Sequence, residues 1–254
     1  MGGGRFLYVM GNMWSPGLAA LLTLKIHKRK ISELGWNWGN TKFQVWSYLI
    51  PICYCLVTYV IVWITGYGGF YNTETVKQMS ESFGLGELNP VSAIILFVLL
   101  DGTFGIIRMS AYTLGEEIGW RGFLVPELFK KFSYAETSLL SGLIWSLWHY
   151  PVLIFSNYNS GTPVWYGLTC FTVMVVSSCF IYTWFRIKSN NLWTGVIFHA
   201  SHNLFIQQIL TPLTYDTGST KYIIDEFGIG LAIVSVALGF YFWTKRGLLT
   251  VPSS

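Results

Sequence analysis

Val91-Ser92-Ala93-Ile94-Ile95-Leu96-Phe97-Val98-Leu99-Leu100 opens an apolar run that reaches Ile118, and deep in that run stands Gly115-Glu116-Glu117-Ile118-Gly119-Trp120-Arg121-Gly122. A hydrocarbon core of about 30 Å takes roughly 20 apolar residues in a helix, and this stretch has the length and character to cross it. Charged groups at that depth are costly and persist mainly where they face a cavity or one another. The stretch therefore reads as a membrane helix carrying a functional polar group. From residue 91 to about 131 the pattern is nearly continuous helix, roughly 60 Å at 1.5 Å per residue. One span cannot hold that length, so a kink near Pro126 or a break near Asp101-Gly102 is expected.

The rest of the chain agrees. Of 254 residues 52% are hydrophobic, 18% aromatic and only 11% charged, against about 25% charged in soluble domains. Twelve Trp and fifteen Tyr suit the membrane–water interface, where both collect. Seven stretches qualify as spans: 6–24, 44–65, 91–118, 135–156, 163–185, 192–210 and 228–244. There is no soluble domain, linker or internal repeat, so residues 1–254 read as one integral-membrane domain, an all-α polytopic bundle of about seven spans. No convincing signal peptide stands at Met1-Gly2-Gly3-Gly4-Arg5, since Asn12 and Pro16 interrupt the segment that follows.

The connecting loops alternate in charge. Lys25 to Lys30, Lys130-Lys131, Arg186 with Lys188, and Lys245-Arg246 are basic. The loop of Glu74, Glu81 and Glu87 and that of Asp216, Asp225 and Glu226 are acidic, and Asn157–Gly161 is uncharged. Basic loops favour the cytoplasm, which puts the N-terminus outside and the C-terminus inside a cell membrane. The net charge of +4 suits topology and anionic headgroups and excludes a nucleic-acid surface. Cys53, Cys55, Cys170 and Cys179 sit in apolar stretches without zinc-ribbon or secreted-disulfide spacing and read as packed thiols. Gly35-Trp36-Asn37-Trp38-Gly39 has the look of an interfacial loop with aromatic anchors.

Three polar groups carry the chemistry. Glu117 and Arg121 are four apart on one ridge and are placed to pair. Glu116, turned about 100° away and without a partner in its own helix, is left available as a base. The pair serves equally well as a packing salt bridge. Gly115, Gly119 and Gly122 let a neighbouring helix approach closely. In Trp145-Ser146-Leu147-Trp148-His149-Tyr150-Pro151, His149 lies 16 residues after Ser133, and Glu116 lies 17 before it. An antiparallel hairpin turning at Ser133 brings the two to nearly equal depth, as an acid/base pair requires. In His199-Ala200-Ser201-His202-Asn203, His199 and Asn203 share a face, at about 15–20 Å from the basic end of their helix. Asp101 and Arg108 also fall in an apolar stretch, where they line a cavity or, more simply, hold structure.

At these positions the chain resembles the CAAX-protease/bacteriocin-processing (CPBP) family of CAAX prenyl endopeptidases, their bacterial relatives and proteins of bacteriocin processing or self-immunity. The family motif E-E-x-x-x-R is matched in full by Glu116 to Arg121. Its F-x-x-x-H is matched with Trp145 in place of Phe and His149 kept, and its H-x-x-x-N by His199 and Asn203. The resemblance covers about residues 91–210. Family members usually have one more N-terminal helix than is counted here. The resemblance implies that Glu116, as general base, activates a water with His149, that His199 and Asn203 stabilise the oxyanion, and that Glu117 and Arg121 support the site and position substrate. Imidazole and amide N–H groups are apt oxyanion donors, worth about 3–4 kcal/mol each in a dry site.

The expected activity is thus intramembrane hydrolysis of a peptide or protein substrate, lipidated or not, at the cytoplasmic face and without a cofactor. A zinc-dependent version would use Glu116, His149 and His199, although no H-E-x-x-H or other compact zinc pair occurs. A non-proteolytic immunity or partner-binding protein would keep the motifs as structure. A transporter lacks the inverted repeat it would need.

Overall fold

The computed structural model describes residues 3–84, 88–156 and 158–249; Glu87 and Asn157, named above as loop residues, lie outside them. Each of the seven apolar stretches is helical. α1 spans Gly3–Ile26 and α2 Thr41–Thr65, the latter capped by Asn40 and stopped at Gly66 in the left-handed region. A short amphipathic α3, Thr73–Ser82, starts at the Asn72 cap. α4 runs through Pro90–Phe129, with Asn89 as its cap and Pro90 in the first turn, where a missing N–H costs nothing. α5 is Tyr134–Phe155, opened by a capping box between Ser133 and Glu136. α6 is Val164–Ser189 and ends on Asn190 at φ 50°. α7, Trp193–Asn203, runs on through the turns Leu204–Leu210 and Thr211–Leu213, and α8 is Ile229–Thr244. Gly69–Phe70 pairs antiparallel with Thr214–Tyr215.

Four of these helices, α2, α4, α5 and α6, are long and apolar enough to cross a membrane. The sixteen residues of α8 rise about 24 Å, and α7 is interrupted by its own polar residues. Sidedness of the surface makes the same case. Leu56, Val57, Ile61 and Ile64 of α2 and Ile95, Leu99, Phe104 and Ile107 of α4 are exposed, whereas Glu116, Glu117, Arg121 and His199 are buried. An apolar exterior around a polar interior is the arrangement that a hydrocarbon solvent selects.

The expected kink in α4 takes another form. The helix runs unbroken through Asp101-Gly102 and Pro126, and it widens into π-turns at Asp101–Gly105 and Ile118–Leu124. Proline lacks an N–H, and its ring crowds the carbonyl one turn back. Pro126 stands two residues past the end of a π-turn, as Pro212 does past the one at Leu204–Leu210. The widened turn takes up the conflict and the rod continues.

The glycines of the motif act as the sequence suggests, with one exception. A Cβ on Gly115 would lie 2.7 Å from Trp14 Cα, and one on Gly119 would lie 2.7 Å from the Pro16 carbonyl carbon, so α1 crosses α4 backbone to backbone. A Cβ on Gly122 would meet the Leu34 side chain at 3.3 Å and the Glu117 carbonyl oxygen at 3.5 Å, with no backbone of another helix close by. Of the cysteines, Cys55, Cys170 and Cys179 are buried and Cys53 is exposed. Trp36 and Trp38 pack on Trp193, and Trp36 accepts the Trp193 indole N–H, so this loop is anchored to the protein.

Three loop charges are misassigned by the sequence reading. Arg186, Asp225 and Glu226 are buried and advertise nothing to solvent. Arg186 donates through Nε to the Arg121 carbonyl at 2.7 Å, inside the very turn that carries the motif arginine.

Candidate active site

The π-turn of α4, the middle of α5 and the end of α7 converge on one indole, that of Trp145. Its N–H donates to Glu116 Oε2 at 2.8 Å, and the same oxygen accepts the Trp120 indole N–H at 3.2 Å. Glu116 thus does have a partner in its own helix, one turn on, contrary to expectation. Spacing reveals charge partners, and a tryptophan N–H is easily overlooked as one. Glu116 Oε1 takes no hydrogen bond from the described residues, which leaves one carboxylate oxygen for a water or substrate.

His149 Nδ1 lies 3.0 Å from the backbone carbonyl of Trp145. A carbonyl only accepts, so Nδ1 carries a proton, and in the neutral ring Nε2 keeps its lone pair. The imidazole is half-buried among Trp148 and Phe171, with ring centroids at 4.7 and 5.0 Å. Glu116 and His149 share no direct hydrogen bond; the indole residue lies between them.

Glu117 is fully buried and holds two groups with one oxygen. Oε1 accepts from Arg121 Nη1 at 2.9 Å and from His199 Nδ1 at 3.0 Å. The Arg121 guanidinium also lies over the rings of Trp145 and Tyr182, at 4.1 and 3.7 Å, contacts that gain strength in a site without water. His199 stands edge-on to Trp145, with centroids 5.2 Å apart, and its Nε2 has no hydrogen-bond partner among the described residues. Asn203 follows one turn later; it is buried, and its amide takes no hydrogen bond among the described residues.

The structure therefore gathers Glu116, Glu117, Arg121, His149 and His199 around Trp145 and sets Asn203 on the His199 face. Asp101 and Arg108 pair with each other at 3.2 Å, with the arginine exposed, and take no part. Among the described residues no three His, Cys, Asp or Glu side chains cluster tightly enough to hold a metal ion. The zinc set Glu116, His149 and His199 has one carboxylate oxygen and two Nδ1 atoms committed to other partners.

Sequence reasoning missed Glu226. It lies in the loop before α8, yet it is buried, and its Oε1 accepts from His202 Nε2 at 3.1 Å and from Gln207 Nε2 at 3.2 Å. Burial alone would raise its carboxyl, but the His202 hydrogen bond and the nearby histidines hold it below the ordinary range. Burial, with the Glu226 charge next door, pushes the Asp225 carboxyl up to about 6. Tyr54 hydrogen-bonds the other nitrogen of His202.

Comparison with known proteins covers the segment that holds these residues. The family described as Type II CAAX prenyl endopeptidase, Rce1-like, matches residues 88–205, which encloses all three motifs. A protein of Methanococcus maripaludis named CAAX prenyl protease 2 is 29% identical over 251 residues, spanning 91% of this chain and 83% of its own length. The chain thus resembles the Rce1-like CAAX endopeptidases across the segment that carries its motifs, and the likeness supports a CPBP-type intramembrane peptidase, a multi-pass membrane protein that acts on a peptide or protein substrate.

Proposed function

We propose that this protein hydrolyses a peptide bond by water that Glu116 and His149 activate, with His199 and Asn203 as the oxyanion hole and with no metal. The observation that carries the reading is the placement of Glu116, one oxygen held by two indole N–H groups and the other unclaimed. In this scheme Glu116 takes a proton as the water oxygen attacks the scissile carbonyl. The lone pair on His149 Nε2 orients that water. The oxyanion that forms is met by the Asn203 amide and, when His199 is doubly protonated, by its Nε2–H, with Glu117 supporting the charge. Collapse breaks the C–N bond, and the proton taken from water passes to the departing amine. Arg121 fixes Glu117, which fixes the His199 ring.

The name of the Methanococcus relative supports a substrate with a prenylated C-terminal segment, presented from a lipid bilayer. The basic loops support a cytoplasmic C-terminus and an external N-terminus.

The test is cleavage of a farnesylated peptide by protein reconstituted in liposomes. Wild type is expected to cut it with or without a chelator, and Glu116→Gln to lose at least 100-fold in kcat. Unchanged turnover by Glu116→Gln would exclude it as the base. Loss of activity on chelation, restored by zinc, would establish the metal-dependent route instead.

A further inference from the structure

Asn203 presents a problem of positioning. Its amide has no hydrogen-bond partner among the described residues, so only the backbone fixes its direction. That backbone enters a π-turn at the next residue, Leu204, a local geometry less favourable than the α-helix. Something outside the helix must hold the register.

Glu226 is placed to do so. It grips His202, one residue before Asn203, and Gln207, four residues after it, through a single oxygen, at 3.1 and 3.2 Å. Its second oxygen accepts from the Tyr158 hydroxyl at 3.4 Å, and Gln207 also donates to that hydroxyl at 3.2 Å. The carboxylate thereby ties the loop before α8 to both flanks of Asn203 and to the loop that follows α5. His202 has no spare atom for substrate. Its Nε2–H serves Glu226, and its Nδ1 accepts from Tyr54 on α2. The histidine is a strut, and Glu226 is the member that loads it.

We propose that Glu226 is a positioning residue for the peptidase reaction, setting the direction of the Asn203 amide by clamping His202 and Gln207 on either side of it. The inference rests on Asn203 acting as an oxyanion donor. It assigns a role to a buried acid outside the three motifs and outside the matched segment, 88–205.

A double-mutant cycle in the full-length protein tests it, with kcat and KM for a farnesylated fluorogenic peptide measured in liposomes. Asn203→Ala is expected to lower kcat about 100-fold. Glu226→Ala is expected to lower kcat about tenfold with KM within twofold, and Glu226→Gln, which keeps an acceptor for His202, to recover most of that loss. In the Asn203→Ala background the Glu226→Ala loss should shrink to less than twofold, because the group it positions is gone. Should Glu226→Ala not yield folded protein, Gln207→Ala removes one tie and is expected to show a smaller loss with the same coupling. Equal losses in both backgrounds, or a raised KM at constant kcat, would overturn the inference while leaving the oxyanion assignment standing. Full turnover by Asn203→Ala would remove that assignment and this inference together.

Discussion

Glu116 and His149 are linked through one residue: Trp145 donates its indole N–H to the carboxylate at 2.8 Å and offers its carbonyl to the imidazole at 3.0 Å. The family motif has phenylalanine at this position, which fills the space without an N–H. Trp145→Phe should therefore fold and keep KM within twofold. It should lose about tenfold in kcat, the lower end of what a hydrogen bond to a charged group supplies, because Trp120 still holds the carboxylate. Steady-state cleavage of a lipidated peptide measures this, and unchanged kcat would show the indole N–H to be dispensable.

The Glu117–Arg121 pair is almost inaccessible on both sides. Removing one member of such a pair strands a charge and costs about 3–5 kcal/mol, whereas replacing both with neutral groups of similar shape costs far less. Arg121→Ala should unfold at much lower temperature in detergent. The double change Glu117→Gln with Arg121→Met should recover most of that stability and none of the activity. A double variant as unstable as the single one would mean that the pair is needed for folding itself.

Much of this was open to sequence reading. The helices were legible because membrane helices announce themselves by unbroken hydrophobicity, and the depth match of Glu116 and His149 followed from counting out from Ser133, which is indeed the cap of α5. Three things were not legible. Glu226 sits more than twenty residues past Asn203 in a loop where an acid at the surface and an acid folded inward look alike. The same ambiguity hid Arg186. The π-turns of α4 stand where the sequence predicts a break or kink, and that of α7 is not foreseen at all, because no residue preference separates a widened turn from a regular one; Pro126 and Pro212 hint at two of the three.

Gly119 carries a stability prediction. A Cβ there would sit 2.5 Å from Pro16 Cβ and 2.7 Å from the Pro16 carbonyl carbon, and backbone cannot rotate out of the way. Gly119→Ala should cost about 1–3 kcal/mol through overpacking, read as a lower unfolding temperature. Gly247→Ala, where nothing lies within 4 Å, should cost much less. Equal effects at the two sites would show that the α1–α4 crossing has slack.

Asp225 makes stability depend on pH. Its carboxyl is pushed up to about 6 by burial and by Glu226, above the value near 3.9 of an unfolded chain, so ionising it costs the fold more than the unfolded state. Its contribution is complete below about pH 4, declines as pH climbs to about 6, and is absent above. Asp225→Asn, neutral throughout and still able to accept from Ser160, should match wild type at pH 4 and exceed it at pH 7.5. Thermal unfolding at the two pH values decides the matter; a variant weaker at pH 7.5 would refute the assignment.

Each π-turn can be counted as one letter more than a straight rod needs. The turn at Ile118–Leu124 adjoins Glu117, and that at Leu204–Leu210 adjoins Asn203. Dropping Gly122, Phe123 or Leu124 from the first, or any single letter of the second, would spare every motif residue, yet swing all that follows by about 100°. The spelling of the reactive groups would survive while their aim was lost, so in this molecule chain length between landmarks is itself a heritable part of the machinery.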